Sequence, residues 1–480
     1  MTATSDTTDS TETENHSAYQ QLPIADLEQS DDEDDSIVRA PDHFSARRTT
    51  LNFVLMSILF SANHGSVVSC LGVASNRLDR TGAASSGILF LSYTASSLLG
   101  STYVTKRAGS RQALIYGMGL YCVYVGCFWL ATLATTDATV KLFCWGGAAL
   151  GGVGGGLLWN SQGTYFGKAA EEHARQLNQS IEVSTASLAG IFATIYLIEE
   201  LVLRLLSTFL LESGAASWED IFGIYTAVAL LSVIPMPFLR DYRSTDASGN
   251  ESLSLIFDKV TIAGKLLVRD PKMKYMVGLN AAFGFTSAFL GSYVNGEVLP
   301  VALSDESGKM IGVLTGWTAF TAAGFSLLFG RLAPILGKGP ILIGGGVCFM
   351  MVILPFLVQP DAHNYNLASL LFVYTMQGIG RATFEGTLKA TFADFFAYEK
   401  EGAFGNIILQ NGLAGAIGYF LTFNLLCDEP SKYCIKYRDG SLHDVLTFEL
   451  IVCVSAIVGI LGYIRAASIH RYERNAELSN

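Results

Sequence analysis

Residues 341–358 read ILIGGGVCFMMVILPFLV and contain no charged side chain. A helix needs about 20 mostly apolar residues to cross the roughly 30 Å hydrocarbon core of a bilayer. About twelve stretches of this kind follow one another between residues 50 and 466. They are rich in Leu, Ile, Ala and Gly and do not alternate strictly, which favours helices over the strands of a membrane barrel. The sequence therefore predicts an integral, multi-pass membrane protein.

The predicted spans fall into two sets of six, so the predicted fold is an all-α membrane protein with twelve transmembrane helices in two six-helix bundles. The first set covers 50–74, 82–104, 113–134, 140–163, 181–203 and 219–239, and the second covers 274–298, 310–333, 341–358, 366–388, 403–427 and 444–466. The predicted organisation is an N-terminal tail (1–48), an N-terminal bundle (49–240), a central cytoplasmic loop (241–273), a C-terminal bundle (274–466) and a C-terminal tail (467–480).

The net charge of −11 is concentrated near the N-terminus, where residues 1–40 hold eleven acidic side chains and the single base Arg39. This segment has no apolar core, so it is not a signal peptide, and its composition predicts a disordered acidic tail. An acidic tail also argues against nucleic acid as a partner.

The distribution of Lys and Arg predicts the orientation of the chain. If both termini are cytoplasmic, 21 of the 31 basic residues fall on the cytoplasmic side and 8 on the other side. Cytoplasmic segments of membrane proteins carry this excess of positive charge. The sequence fits the plasma membrane and the endosomal system equally well.

Two loops repeat the same pattern at an offset of 228 residues, one beginning at Thr102 and the other at Gly330. In each, a small residue is followed by six variable positions, a glycine and a nearby base. A tight turn needs the glycine, and a base can interact with helix C-termini. The repeat predicts an internal duplication, a known plan among transporters. The residues that define it are Arg107, Gly109, Arg111, Gly330, Gly337 and Lys338.

These loops resemble the signature Gly-x-x-x-Asp-Arg-x-Gly-Arg of the major facilitator superfamily. Lys106 and Pro334 occupy the positions of the signature's acid, which normally helps to close a gate. The stretch Gly151-Gly-Val-Gly-Gly-Gly-Leu-Leu-Trp159-Asn160-Ser-Gln162-Gly163-Thr-Tyr165 is similar to the Unc-ninety-three-like branch of that superfamily. The resemblance covers about residues 50–466, which is the helical body without the tail.

The resemblance implies one of two functions. In the first, the protein moves a small solute or ion by alternating access, and its partner is the lipid bilayer in which it lies. The second is a non-transporting regulator or trafficking partner of an ion channel or receptor, for which the partner is another membrane protein. No nucleotide-binding loop, metal-ligand spacing or clustered catalytic motif occurs in the sequence, so we expect neither an enzyme nor a cofactor nor a metal.

Charged residues inside the spans are the first candidates for a substrate or gate site. Arg381 and Glu385 are four residues apart and share one helical face, and Glu182 is a candidate partner from the other half. A structural ion pair near the membrane boundary is the alternative reading of this face. His64 in the first span could couple transport to protons or simply hydrogen-bond between helices.

Two further features complete the candidate residues. Asn160 and Gln162, at the end of the fourth span, are polar candidates for a substrate site. Cys427 and Cys434 bracket the polar segment CDEPSKYC, where a disulfide is plausible if the loop is exoplasmic or lumenal; two unrelated thiols are the alternative.

Overall fold

The computed structural model describes residues 41–242 and 254–479, except for the side chains of residues 182, 254–261, 400–401 and 477–479. Residues 1–40 of the predicted disordered tail (1–48) are outside the described residues. The first helix begins at His43, which is inside the predicted tail.

Six long helices and one short helix form the first half of the described chain. They are α1 (His43–Leu99), α2 (Ser101–Ala108), α3 (Ser110–Leu133), α4 (Asp137–Leu177), α5 (Ile181–Glu212), α6 (Trp218–Val233) and, after the gap, α7 (Ser254–Arg269). A short 3-10 helix, Met236–Phe238, follows α6.

The second half is also helical, with two π-helical segments inside its long helices. Its helices are α8 (Pro271–Phe289), α9 (Leu299–Ala302), α10 (Lys309–Leu336), α11 (Lys338–Val358), α12 (Leu367–Ala382), α13 (Lys389–Phe395), α14 (Lys400–Asn424) and α15 (Val445–Ser479). The π segments Leu290–Val298 and Thr383–Leu388 join α8 to α9 and α12 to α13. A 3-10 turn spans Ala362–Asn364.

A two-stranded hairpin precedes α15 and is pinned to the chain before it. Strands β1 (Cys434–Lys436) and β2 (Leu442–Asp444) are antiparallel, with Ile435 opposite His443. A disulfide joins Cys427 to Cys434 across a separation of seven residues. We call residues 425–444 the hairpin segment.

Eight helices of the described chain have the length and hydropathy needed to cross a membrane. One of them, α1, is 57 residues long and breaks at Leu78 and Asp79, where Asp79 has a positive φ of 44°. The break is tight because a Cβ added at Gly82 would lie 1.9 Å from the carbonyl oxygen of Ala74. The protein is therefore a multi-pass helical membrane protein.

Several predicted boundaries differ from the structure. The segment 241–273, predicted as a loop, contains α7, which packs against α14 through a 2.9 Å hydrogen bond from Asn406 Nδ2 to the carbonyl of Ala263. The predicted tail after residue 466 continues α15 as far as Ser479. The helices that contain the fourth and fifth predicted spans continue beyond those spans, to Leu177 and Glu212. No proline interrupts either helix where its apolar run ends, so the helix continues into polar sequence.

The two repeated loops have the same backbone. Gly109 (φ 86°, ψ 152°) separates α2 from α3, and Gly337 (φ 80°, ψ 163°) separates α10 from α11. The amide of each glycine donates to the carbonyl four residues earlier, that of Thr105 or Ala333, at 3.0 Å. Only glycine adopts these angles readily, so the conformation explains why a glycine stands at both positions.

Replacement of Gly337 by alanine should therefore destabilise the protein by about 1–3 kcal/mol, because a Cβ disfavours its backbone angles. Gly330 is the matched control in the same loop: it is helical and exposed, and nothing lies within 4 Å of an added Cβ. Gly330→Ala should instead stabilise the helix, by up to about 1 kcal/mol. Thermal unfolding of the purified protein measures both, and equal shifts would contradict the explanation.

Candidate functional site

A buried ion pair links α5 of the first half to α12 of the second. Arg381 donates from Nη1 and Nη2 to the two carboxylate oxygens of Glu200, at 3.0 and 3.2 Å. The side chains are 14% and 2% exposed. This two-point geometry is the strongest form of an arginine–carboxylate contact.

Two more charges complete the group, which we call the charge cluster: Glu200, Arg204, Arg381 and Glu385. Arg204 lies 3.0 Å from Glu200, and Arg381 Nε donates to Glu385 at 2.9 Å. Each pair is four residues apart on its own helix, so each helix presents one acid and one base on the same face. Two positive and two negative charges balance, which offsets the high cost of placing any one of them inside a membrane.

The ring of His64 lies beside the cluster in a box of aromatic side chains. The ring centroids of Phe60, Tyr121, Trp159 and Tyr196 are 5.2–6.0 Å from that of His64. His64 is 7% exposed and its Nδ1 has no hydrogen-bond partner among the described residues. It interacts electrostatically with Glu200, Arg381 and Arg204. The protein thus holds a titratable ring next to four balanced charges.

Glycines of α4 bring Trp159 up to this box. An added Cβ at Gly152 would lie 2.3 Å from the carbonyl oxygen of Leu89, and one at Gly156 would lie 2.1 Å from Ser96 Oγ. Helices without side chains at such points approach more closely than others. The glycine-rich stretch therefore places α4 directly against the second part of α1.

The structure separates the other predicted candidates from the cluster. Asn160 Nδ2 donates to Thr105 Oγ1 at 3.3 Å, and Gln162 is buried, and no described hydrogen bond joins either to Arg381. Glu182 lies in the first turn of α5 and its side chain is outside the described residues. Its backbone is about 27 Å along the helix from Glu200, at 1.5 Å per residue. Glu200 is therefore the partner of Arg381.

Sequence reasoning missed Glu200 and Arg204 as functional residues. In the sequence they are charged residues at the end of the predicted fifth span (181–203). The available signal was an acid and a base four residues apart inside an apolar helix, the same pattern that marked Arg381 and Glu385.

The loop residues are arranged around helix ends. Arg111 donates to the carbonyls of Pro237 and Leu239 at 2.9 and 2.8 Å, and lies 3.4 Å from Asp241. In the second copy Lys338 pairs with Asp394 at 2.6 Å. Both bases hold the end of a helix from the same half of the chain.

The two halves touch closely at the end of the helices that carries the hairpin segment. Thr208 Oγ1 donates to the carbonyl of Lys309 at 2.7 Å, and Asn295 Nδ2 donates to that of Gly72 at 2.8 Å. Trp218 Nε1 donates to the carbonyl of Ser307 at 2.5 Å.

The glycines of α5 and α10 have different surroundings. Near the hairpin end, a Cβ on Gly312 would lie 2.3 Å from the carbonyl oxygen of Arg204. Away from that end, Gly190 of α5 and Gly324 of α10 have no atom within 4 Å of an added Cβ. Gly190 and Gly324 are exposed positions, whereas Gly312 lies in the contact between α5 and α10 at the hairpin end.

The hairpin segment straps the two halves together at this end. Arg438 donates from Nη1 to the carbonyls of Asn76 and Gly296, at 3.2 and 3.4 Å. Arg80 donates to the carbonyl of Phe423 at 2.9 Å and lies 3.8 Å from Asp439. Asn76 and Arg80 belong to the first half and the other partners to the second.

A histidine forms the core of this strap. His443 is buried, stacks on Tyr437 with ring centroids 4.0 Å apart, and shares a 2.7 Å hydrogen bond with Ser441. Burial, reinforced by the positive charge of Arg80, lowers the pKa of His443, although Asp439 opposes this. The folded hairpin segment therefore favours the neutral ring.

A second buried acid contrasts with Glu200. Glu449 of α15 is fully buried, and neither of its carboxylate oxygens has a hydrogen-bond partner in the part of the chain that the structure describes. A buried polar group without a partner reduces stability.

Comparison with known families identifies a match over most of this chain. The family model described as "Ion channel regulatory protein UNC-93" matches residues 77–426. Protein unc-93 homolog A of Bos taurus is 24% identical over 391 residues, which cover 74% of this chain and 82% of that protein. UNC93-like protein 3 of Arabidopsis thaliana is 24% identical over 353 residues, covering 71% and 73%.

Two solved structures that share this fold are transporters. A mutant of the nucleoside transporter NupG aligns with a TM-score of 0.64 at 13% identity and covers 87% of this chain and 99% of its own. The peptide transporter POT, in complex with sulfate, aligns with a TM-score of 0.63 at 12% identity and covers 88% and 95%. At such identities the likeness establishes the fold, that of the major facilitator proteins.

Methionine at the two buried acids should have opposite effects on stability. Glu200→Met leaves Arg204 and Arg381 without their shared carboxylate and should destabilise the protein by about 3–5 kcal/mol. Glu449→Met removes an unpartnered acid and should stabilise it by about 1 kcal/mol. Thermal unfolding of the two variants beside the parent tests this; destabilisation by Glu449→Met would reveal a partner for that acid.

Acidification should loosen the hairpin segment. Because the pKa of His443 is lower in the folded protein than its ordinary value near 6.5, the folded state loses stability as pH falls below that ordinary value. After correction for the intrinsic exchange rate, which itself falls with pH, hydrogen exchange of residues 425–444 should therefore accelerate from pH 7 towards pH 5 (about the range in which a free imidazole titrates). His443→Phe, which keeps the stack on Tyr437, should remove the acceleration, whereas a variant at exposed His363 should retain it.

Proposed function

Since the chain belongs to the UNC-93 family and has the major facilitator fold, we propose that it moves a small solute or ion across a membrane by alternating access. The observation that carries this proposal is the charge cluster, in which Glu200 and Arg381 join the two halves beside His64.

The position of the cluster along its helices supports a central site. Arg381 is the midpoint of residues 367–395, the segment made of α12, the following π segment and α13. At 1.5 Å per residue it is about 21 Å from either end. A polar site at mid-depth between two halves is what alternating access requires.

The contacts at the hairpin end support a gate there. We propose that the solute reaches the charge cluster from the opposite end, and that Arg438 and Arg80 release their carbonyl partners when the hairpin end opens. Glu385 is 36% exposed and is the member of the cluster that an entering solute meets first.

Twelve transmembrane helices are part of the same proposal. Splitting α1 at Asp79 and counting the three long segments Pro271–Ala302, Leu367–Phe395 and Lys400–Asn424 extends the eight membrane-length helices to twelve. These form two bundles of six, residues 49–240 and 274–466, that rock against each other. Both termini are then cytoplasmic, in the plasma membrane or an endosomal membrane.

A regulator of another membrane protein is the second candidate. The description of the matching family as ion channel regulatory favours it, as do Lys106 and Pro334 at the positions of the gate acid. In this case the charge cluster would hold one shape for a partner to recognise, and no solute would bind at it.

A screen of solutes and ions by thermal shift, on purified protein with and without Arg381→Ala, separates the two functions. We expect at least one compound to stabilise the parent and not the variant, because removal of Arg381 leaves Glu200 and Glu385 without their shared base. Lys141→Ala is the matched control, since Lys141 makes an exposed pair with Asp137 at 2.6 Å.

A compound that stabilises parent and Lys141→Ala alike, but not Arg381→Ala, supports transport and locates its site. If no compound stabilises the well-folded parent, the transport proposal fails in favour of the regulator. Uptake of the compound into proteoliposomes then measures movement directly.

A further inference from the structure

An apolar groove lies between α8 and α15 on the outside of the helical body. It is open to the outside, has a volume of about 900 Å³, and is lined by two antiparallel rows of side chains, one from α8 and one from α15. Its floor is the close contact of Gly278 with Gly459, where an added Cβ on Gly278 would lie 2.4 Å from the Gly459 amide nitrogen. Leu267 and Val268 of α7 extend the wall at one end.

The groove is as long as one leaflet of a bilayer is thick. Its α8 row runs from Lys274 to Phe285, eleven residue steps and therefore about 16 Å along the helix. Half of the hydrocarbon core is about 15 Å. An acyl chain that begins at the Lys274 end would reach the middle of the membrane along this groove.

The Lys274 end is basic. Lys274 is the only charged side chain that lines the groove among the described residues, and it makes no ion pair with any of them. Arg465 follows Val458 of the α15 row by seven residues, two helical turns further on the same face, and is exposed. Arg269 follows the wall residue Val268 and is also exposed.

The acids near this end are already engaged. Asp270 caps α8 by accepting from the amides of Lys272 and Met273 at 2.6 and 3.3 Å, and it also accepts from the hydroxyl of Tyr398. Glu473 is held by the buried Lys272 at 2.5 Å. Neutral donors leave the negative charge of Asp270 in place, so the rim carries three bases (Lys274, Arg269 and Arg465) against this one acid and stays positive.

We propose that this groove binds an anionic phospholipid, with its phosphate at Lys274 and Arg465 and one acyl chain between α8 and α15. The proposal is independent of whether the protein transports a solute or regulates a partner. A basic rim above an apolar groove one leaflet long matches the two chemical parts of such a lipid. Because α7 ends at the rim, lipid occupancy would also hold α7 against the membrane surface.

Native mass spectrometry of protein released from nanodiscs, made of equal parts phosphatidylcholine and phosphatidylglycerol, tests the proposal. The parent should retain phosphatidylglycerol in preference to phosphatidylcholine. Each base at an anionic surface contributes about five-fold in affinity, so Lys274→Ala with Arg465→Ala should weaken retention by roughly 25-fold. The control is Lys141→Ala with Arg175→Ala, which removes two bases at other exposed positions.

A second variant tests the groove itself. Ala281→Phe fills the apolar wall without altering any charge, and it should reduce retention of both lipids at this site while the folded fraction stays that of the parent. Inorganic phosphate alone should not displace the bound lipid, because the acyl chain supplies part of the affinity. Equal retention of the two lipids by the parent, or unchanged retention in the rim and groove variants, would overturn the proposal.

Discussion

The ion pair between Glu200 and Arg381 is the constraint around which the rest of the protein is organised. A lone charge at the middle of a membrane helix is expensive, so each partner requires the other to be present at the same depth. The pairing fixes the rotation of α5 against α12 and the height of one half relative to the other. Arg204 and Glu385 then extend the pair into a neutral group that either function can use.

Close packing and irregular helices make that pairing possible. Glycines on α4 let it approach α1, which brings Trp159 to His64. The π segment Thr383–Leu388 begins two residues after Arg381 and contains Glu385, so the second half departs from regular helix at the charge cluster. Such segments frequently mark functional sites in helices.

The two ends of the helical body differ in how they are held. At one end the hairpin segment, closed by the disulfide between Cys427 and Cys434, reaches both halves through Arg438 and Arg80. At the other end Gly109 and Gly337 turn the chain between helices within each half. The two halves are also in contact toward that second end, where an added Cβ on Gly412 of α14 would lie 2.0 Å from Thr94 Oγ1 of α1.

The sequence by itself determined the helical membrane class, the repeat at an offset of 228 residues and the family. These features depend on local chemistry, namely hydropathy, glycine positions and a short motif. Local chemistry can be inferred from one sequence. It also identified Arg381, Glu385 and His64 as unusual residues, because a charge or a titratable ring inside an apolar run stands out. The sequence predicted a loop where the structure has α7, because a short amphipathic helix has no membrane-length apolar run.

Only the tertiary structure decided which residues meet. The partner of Arg381 is Glu200 and not Glu182, and these two acids lie on the same helix about 27 Å apart. The choice depends on how α5 slides and turns against α12, which results from packing between residues 181 positions apart in the chain. The aromatic box of His64, the strap of the hairpin segment and the groove of Lys274 likewise assemble residues from several helices. Contacts of this kind are absent from any local pattern, because helix periodicity fixes the face of a residue but not the neighbour that the face will meet.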